Sequence, residues 1–373
     1  MPNAPVSAAE LERRRAAVRA AMERAGIDVL VLGSSSEDMG GYVRYLTDMP
    51  AGGYGTVVVF PRDGEPAVVN HGFQGELTSP YFPSVAYTRG EPGRLALRAL
   101  RGYERATVGL VGTTQLPLAV GDAVREGLPE ARFVEASELL DEIKAVKSAE
   151  EQQQIRGCAE LQDAALEAAF AAAEPGVRES DVGDAAWNVA YRLGSEAGIV
   201  LIGSGPPGGG WTIKPRHLQT RTLEEGDMLA VLVEVNGPGG QFAEIGRTAV
   251  LGDVPAQVEE ELELVLEAQR FTLERLVPGA RCADVWDEYN AFLRERGRPE
   301  EARIHCHGQG VDLVERPLVR FDETMAISEG MNITCHPTWL LDGLWSWICD
   351  NYLIGPDGPG ECLHATPQRI VSL

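Results

Sequence analysis

Glu234 and Glu244 flank a turn-rich tip, Asn236-Gly237-Pro238-Gly239-Gly240, between two apolar runs, and so read as the two arms of a β-hairpin. Folded about that tip they lie roughly opposite one another, and opposed like charges destabilise a sheet. A compensating partner is therefore expected: a metal ion, a shared proton or a cation such as Arg247. A register shifted by one residue would instead send one glutamate to solvent. Further on, His305 and His307 alternate onto one strand face beside Gly308-x-Gly310, whose glycines let another group approach closely. Cys335-His336 and Cys349-Asp350 each sit on an apolar run that, taken alone, reads as a core strand. The spacing matches no short local zinc motif, so a metal site would have to be assembled from distant segments. The Gly-rich stretch 203–211 lacks the Lys-Ser/Thr ending of a phosphate loop and no helix pattern follows it. It reads either as a bent loop presenting Trp211, Lys214, Arg216 and His217 at a pocket mouth, or as a plain surface loop.

These residues need elements to carry them. Apolar runs at 28–33, 55–60, 67–70 and 107–111 alternate with helical stretches at 8–25, 92–103 and 117–127, an α/β pattern. Ser7-Ala-Ala-Glu10 and Ser148-Ala-Glu-Glu151 are capping boxes; the second opens a long amphipathic helix stopped by Pro175-Gly176. A domain boundary is expected near 140–148, giving domains 1–142 and 143–373. In the second domain Pro175-Gly176-Val-Arg178-x-x-Asp181-Val182-x-Asp184 recurs as Pro278-Gly279-Ala-Arg281-x-x-Asp284-Val285-x-Asp287, an offset of 103 residues. Seven of twenty aligned positions are identical, including the closing Gly194 and Gly297, which suit helix C-termini. Two units of helix, Pro-Gly break, helix and strand predict a pseudo-symmetric α+β domain with a curved sheet, and a site between its halves would draw groups from both.

Composition narrows the function classes. The chain has 373 residues and a net charge of -23; residues 1–140 hold 14 basic and 17 acidic residues, leaving 19 against 39 for the remainder. Such a field repels phosphate backbones and no basic stripe offsets it, so no nucleic-acid partner is expected. The acidic stretch 259–267 reads as a solvated helix face. No apolar run reaches the length of a membrane helix and no signal core opens the chain, so no membrane partner and a cytoplasmic location are expected. The six cysteines, scattered without a CxxC pair, are expected as free thiols.

The order of segments resembles the creatinase/aminopeptidase P/methionine aminopeptidase group, the peptidase M24-like "pita-bread" fold, over nearly the whole chain. Val43–Thr47 stands at the usual strand end of the creatinase-type N-terminal domain, and Ile143–Ser148 resembles the inter-domain signature. Glu225-Gly226-Asp227, Arg247-Thr248, His307-Gly308-x-Gly310, Glu315-x-Pro317 and Glu329-Gly330-Met331 follow in family order. The fold so implied is an α/β N-terminal domain plus an α+β pita-bread C-terminal domain with a pseudo-twofold internal repeat.

Metallopeptidases of this group bind two metals with two Asp, one His and two Glu. By that resemblance Glu244 stands at the second Asp and Glu234 at the first, although a strict count gives Leu232. His307 keeps the family His, His336 and Cys349 replace the two Glu, and Val314 stands where peptidases carry a His. Two lost carboxylates make a two-metal site improbable. The implied cofactor is either none or one divalent metal, zinc or iron, held by Glu234 or Glu244 with His307, His336 and Cys349.

The leading expectation is a non-peptidase, creatinase-like hydrolase that cleaves a C–N bond in a small polar amino-acid-like, amide or guanidino substrate. His307 or His336 would be its general base, and Glu244 or Glu234 would set the tautomer or bind a cationic end. Arg247 would hold a carboxylate, with Trp211, His217, Glu315 and Asp350 as further substrate contacts and Cys349 as ligand, nucleophile or core residue. The base of creatinase aligns to Pro215, with His217 two residues away. Alternatives are a metal-dependent Xaa-Pro dipeptidase or aminopeptidase with unusual ligands, a lyase on the same fold, and a catalytically dead binding module. A homodimer is expected from the same resemblance.

Overall fold

The computed structural model describes residues 5–34, 36, 38–50, 55–71, 84–87 and 92–373. The chain divides into two compact units between Lys144 and Ala145.

The first unit is built on strands β1 (Val29–Ser34), β2 (Thr56–Pro61), β3 (Ala67–His71), β4 (Ser84–Tyr87), β5 (Thr107–Val111) and β6 (Arg132–Glu135), in the order β4-β3-β2-β1-β5-β6. Its helices are α1 (Ala8–Ala25), α2 (Gly41–Thr47), α3 (Pro92–Ala99), α4 (Leu118–Gly127) and α5 (Ser137–Ala145). β1 runs antiparallel to β2 and parallel to β5, and β1 and β2 are buried at every position, which explains why they read as continuous apolar runs. β6 went unread because it is a short, partly exposed strand of mixed polarity at the sheet edge. The 43–47 segment, expected at a strand end, lies in α2. Ser7 caps α1 by accepting from the Glu10 amide, but the Glu10 carboxylate turns to Arg13 and Arg14 instead of closing the box.

The second unit starts with helix α6 (Ala149–Ala171), whose capping box is complete: Ser148 accepts from the Glu151 amide and the Glu151 carboxylate accepts from the Ser148 amide. α7 (Glu179–Arg192) follows, then β7 (Gly198–Gly205), β8 (Met228–Val235) and β9 (Ile245–Val250). α8 (Ala256–Leu273) and α9 (Cys282–Glu295) repeat the helix pair, and the remaining strands are β10 (Cys306–Gly308), β11 (Glu315–Leu318), β12 (Asn332–Cys335), β13 (Thr338–Leu341), β14 (Leu344–Trp347), β15 (Asp350–Gly355), β16 (Gly358–Cys362) and β17 (Val371–Ser372).

The sequence repeat appears as a repeat of anchoring. Gly176 and Gly279 both take left-handed φ, 94° and 92°, and their amides donate to Leu223 O and Ile327 O. Arg178 and Arg281 then bridge Thr222 and Ala326 at the starts of α7 and α9. Each helix pair so placed covers one half of the strands. The halves are a four-stranded sheet, β17-β9-β8-β7, and a five-stranded sheet, β11-β10-β12-β15-β16. They are stitched by reciprocal backbone hydrogen bonds between Gly246 and Cys349. Gly246 is required there: a Cβ would stand 2.2 Å from the Trp347 ring. The candidate residues of both halves converge on this seam.

Candidate active site

The β8–β9 ladder pairs Leu232 with Gly246 and Val233 with Ile245 and resumes at the Asn236–Phe242 bridge, so Glu234 and Glu244 face one another across it. Both are buried, but their carboxylates part company. Glu234 Oε1 accepts from Gln309 Nε2 at 2.8 Å, and Gln309 is held in turn by Asn351 Nδ2 at 2.8 Å. The Glu244 amide donates to Asn351 Oδ1 at 2.6 Å, while its carboxylate turns toward His307 of β10 and His336 just after β12.

Glu244, His307 and His336 each offer a ligand atom, all within 4.8 Å of one another. His307 Nε2 lies 3.8 Å from Glu244 Oε2, and the rings of His307 and His336 stand edge to face with centroids 5.2 Å apart. His307 Nδ1 is 2.9 Å from Gly308 O, which can only accept, so the proton sits on Nδ1 and the Nε2 lone pair faces the cluster. Register explains the convergence. His307 pairs with Thr334 and Cys306 with Cys335, so His336 follows at the end of β12, its amide donating to His305 O at 2.7 Å. The Thr334 hydroxyl donates to Glu244 Oε2 at 3.4 Å and lies 3.2 Å from Cys349 Sγ.

Burial sets the electrostatics. It pushes the Glu244 carboxyl up to about 7, against the hydrogen bonds of Cys349 and Thr334 and the charge of Arg303. It brings His307 down to about 4 and holds His336 well below the usual histidine range, helped by the charges of His307, His305 and Arg303. The Cys349 thiol is raised well above its ordinary value by burial and then by Glu244, so it is a protonated neighbour of the cluster.

Several expected contacts lie elsewhere. Arg247 is 1% exposed and fully committed: it pairs with Asp350 Oδ1 at 2.6 Å and donates to the carbonyls of Gly246, Cys349, Thr366 and Pro367. Burial would raise the Asp350 carboxyl, but Arg247 and His364 bring it down to about 2. Arg247 and Asp350 therefore fasten the seam and do not face a substrate. Glu315 is bound by Lys147 at 2.7 Å in a buried pair, and a Cβ on Gly310 would meet both partners within 2.7 Å. The glycine therefore makes room for this internal pair. Trp211 packs into an apolar cluster and donates Nε1 to Pro206 O, and His217 is exposed on the short turn Arg216–Leu218. Lys214 and Arg216 are taken by Glu179 and Asp184. His305 stacks on Tyr289 at 3.6 Å and bonds Thr272, a core histidine brought down to about 3 by burial. All six cysteines are free thiols.

A cavity of about 620 Å³ opens in front of the cluster. Glu244 and His336 line it together with Thr212, Ile213, Leu232, the loop 299–303, Thr338, and the indoles of Trp339, Trp345 and Trp347. The 203–211 stretch therefore leads to the cavity through Thr212 and Ile213. Arg303, Thr334, Gln309 and Asn351 escaped the sequence reading, since single polar residues carry no periodic or spacing signal.

The chain is similar to known proteins over both units. The model described as metallopeptidase family M24 matches residues 153–356, and that of the creatinase/prolidase N-terminal domain matches residues 14–146. A probable dipeptidase PepE of Mycobacterium tuberculosis is 24% identical over 332 residues, covering 85% of each chain. A Xaa-Pro dipeptidase of Pyrococcus furiosus is 26% identical over 279 residues, 70% of this chain and 77% of that one. Among solved structures, the dipeptidase PepE of Mycobacterium ulcerans superposes with a TM-score of 0.80 at 23% identity, covering 99% of both chains. An X-Pro aminopeptidase of Thermotoga maritima superposes with a TM-score of 0.82 at 17% identity, covering 96% and 99%.

Proposed function

The chain belongs to the metallopeptidase family M24, with a creatinase/prolidase N-terminal domain, and is a hydrolase of that family; from this premise we propose that it cleaves the amide bond of short peptides with a single divalent metal at Glu244, His307 and His336. The relatives bear the names dipeptidase and Xaa-Pro dipeptidase, which favours a peptidase over the creatinase-like, non-peptidase hydrolase expected first.

The observation that carries the proposal is the donor set. Two imidazoles and one carboxylate within 4.8 Å match the ligand types of a mononuclear zinc or iron site. Of the groups that a second ion would need, Glu234 is bonded to Gln309 and Asp350 is paired with Arg247. A divalent ion bound there supplies Lewis-acid polarisation of a carbonyl and a water acidified toward neutrality. Thr334 orients the Glu244 carboxylate through Oε2, and Gly308 fixes the His307 tautomer with Nε2 inward. The indoles of Trp339, Trp345 and Trp347 line the approach with apolar surface. By family resemblance we further propose a homodimer.

The test is metal analysis of protein purified without a His tag, with peptide hydrolysis followed by mass spectrometry. The expected result is about one zinc or iron per chain, lost in His307→Ala, and cleavage of dipeptides by the loaded enzyme. Absence of metal after incubation with Zn²⁺, Mn²⁺ and Fe²⁺ overturns the metal assignment and returns the site to metal-free histidine chemistry.

A further inference from the structure

The cavity lining holds one permanent cation among the described residues, Arg303, on the loop between α9 and β10. Two acids share that loop, and both are engaged. Glu300 pairs with Arg294 at 3.0 Å. Glu301 is buried, accepts from the Arg303 amide at 2.7 Å, and reaches the Arg303 guanidinium only at 3.8 Å. The Arg303 side chain remains 66% exposed, so most of its donors are open to a ligand, and its charge is felt by both Glu244 and His336. The rest of the lining is largely apolar and includes the indoles of Trp339, Trp345 and Trp347. Trp347 donates its Nε1 to Thr248 and Trp339 donates its Nε1 to Glu261, so both present ring surface instead of donors. Trp345 and Trp347 stand 6.4 Å apart at 45°, forming an open wedge.

We propose that Arg303 is a specificity-determining residue that captures the carboxylate of an acylated amino acid or dipeptide whose apolar residue rests on the indoles of Trp339, Trp345 and Trp347. A guanidinium fork matches a carboxylate bidentately, whereas a cationic ligand lying on the indoles would meet Arg303 as a like charge. The indoles reward apolar surface beside that carboxylate. The assignment rests on the reading of this cavity as an amide-hydrolysing site, but it is tested by binding alone.

The probes are N-acetyl-leucine and its neutral amide, titrated into the full-length protein while tryptophan fluorescence is followed. Wild type is expected to bind the acid about tenfold or more tightly than the amide. Arg303→Gln should lose that preference by weakening the acid while leaving the amide unchanged, and Arg303→Lys should keep part of it. Because Arg303 is exposed, the melting temperature of both variants should match wild type. Equal binding of acid and amide by wild type, no binding of the acid at tens of millimolar, or an unchanged preference in Arg303→Gln overturns the assignment. If the acid preference depends on Arg303 but the loaded enzyme cleaves no peptide, the hydrolase reading fails and the anion site stands.

Discussion

Glu244 is the residue on which the site's chemistry and its stability meet. Its carboxyl, pushed up from an ordinary 4.5 to about 7 by burial, holds a proton in the folded metal-free protein that the unfolded chain has already released. The folded state therefore binds more protons between those values, and stability falls as pH rises from 4.5 to 7 and then levels off. Glu244→Gln keeps the shape and the Thr334 contact but removes the titration. Relative to wild type, the metal-free variant should gain up to ~3 kcal/mol between pH 4 and pH 8, measured by urea unfolding. A difference between the two proteins that stays flat with pH would show that Glu244 does not titrate in this window. His305 teaches the complementary point: two histidines two residues apart have opposite fates, because His307 turns to Glu244 while His305 is stacked on Tyr289.

At the scale of elements, the seam between β9 and β15 decides whether the donors meet. Arg247 donates to the carbonyls of Gly246 and Cys349, the residues whose backbones stitch the two sheets, and Asp350 neutralises it at 2.6 Å. Asp350→Ala would leave a buried guanidinium without its counter-charge, and a loss of ~3–5 kcal/mol is expected. The denaturation midpoint should fall with an unchanged slope. A loss under ~1 kcal/mol would mean that the bonds of Arg247 to the carbonyls of Gly246, Cys349, Thr366 and Pro367, not its charge pairing, carry the seam. The Lys147–Glu315 pair at the start of β11 is likewise buried, and Gly310 leaves it room.

The whole molecule carries a net charge of -23, concentrated beyond residue 140. Self-repulsion on this scale opposes compaction and is screened by salt. The melting midpoint is expected to rise as NaCl increases from about 10 mM to about 0.5 M; a midpoint that is flat or falls would show that the surface ion pairs offset the repulsion. Among the described residues no helix is long and apolar enough to cross a membrane. The acidity also gives Arg303 its meaning, because among the described residues it is the one permanent cation in the lining of a cavity set in an acidic unit.

Local signals in the sequence determined the helix caps, the apolar strands and the repeat, because caps, periodicity and Pro-Gly breaks act over a few residues. Ser148 with Glu151, and Gly176 with Gly279, were legible for that reason. The hairpin itself was legible from its tip, but two registers remained open until the ladder set Glu234 opposite Glu244. Which carboxylate reaches the histidines was not legible. Glu234 and Glu244 are alike in type and burial and face one another across the hairpin, and what separates them is Gln309, brought from 75 residues away to take Glu234. In the same way Arg247 and Glu315 looked available for a substrate until Asp350 and Lys147, distant in the chain, were set against them. Spacing along the chain determines which residues can share a face; only tertiary packing decides which buried charge already has a partner, because burial without one is too costly to persist.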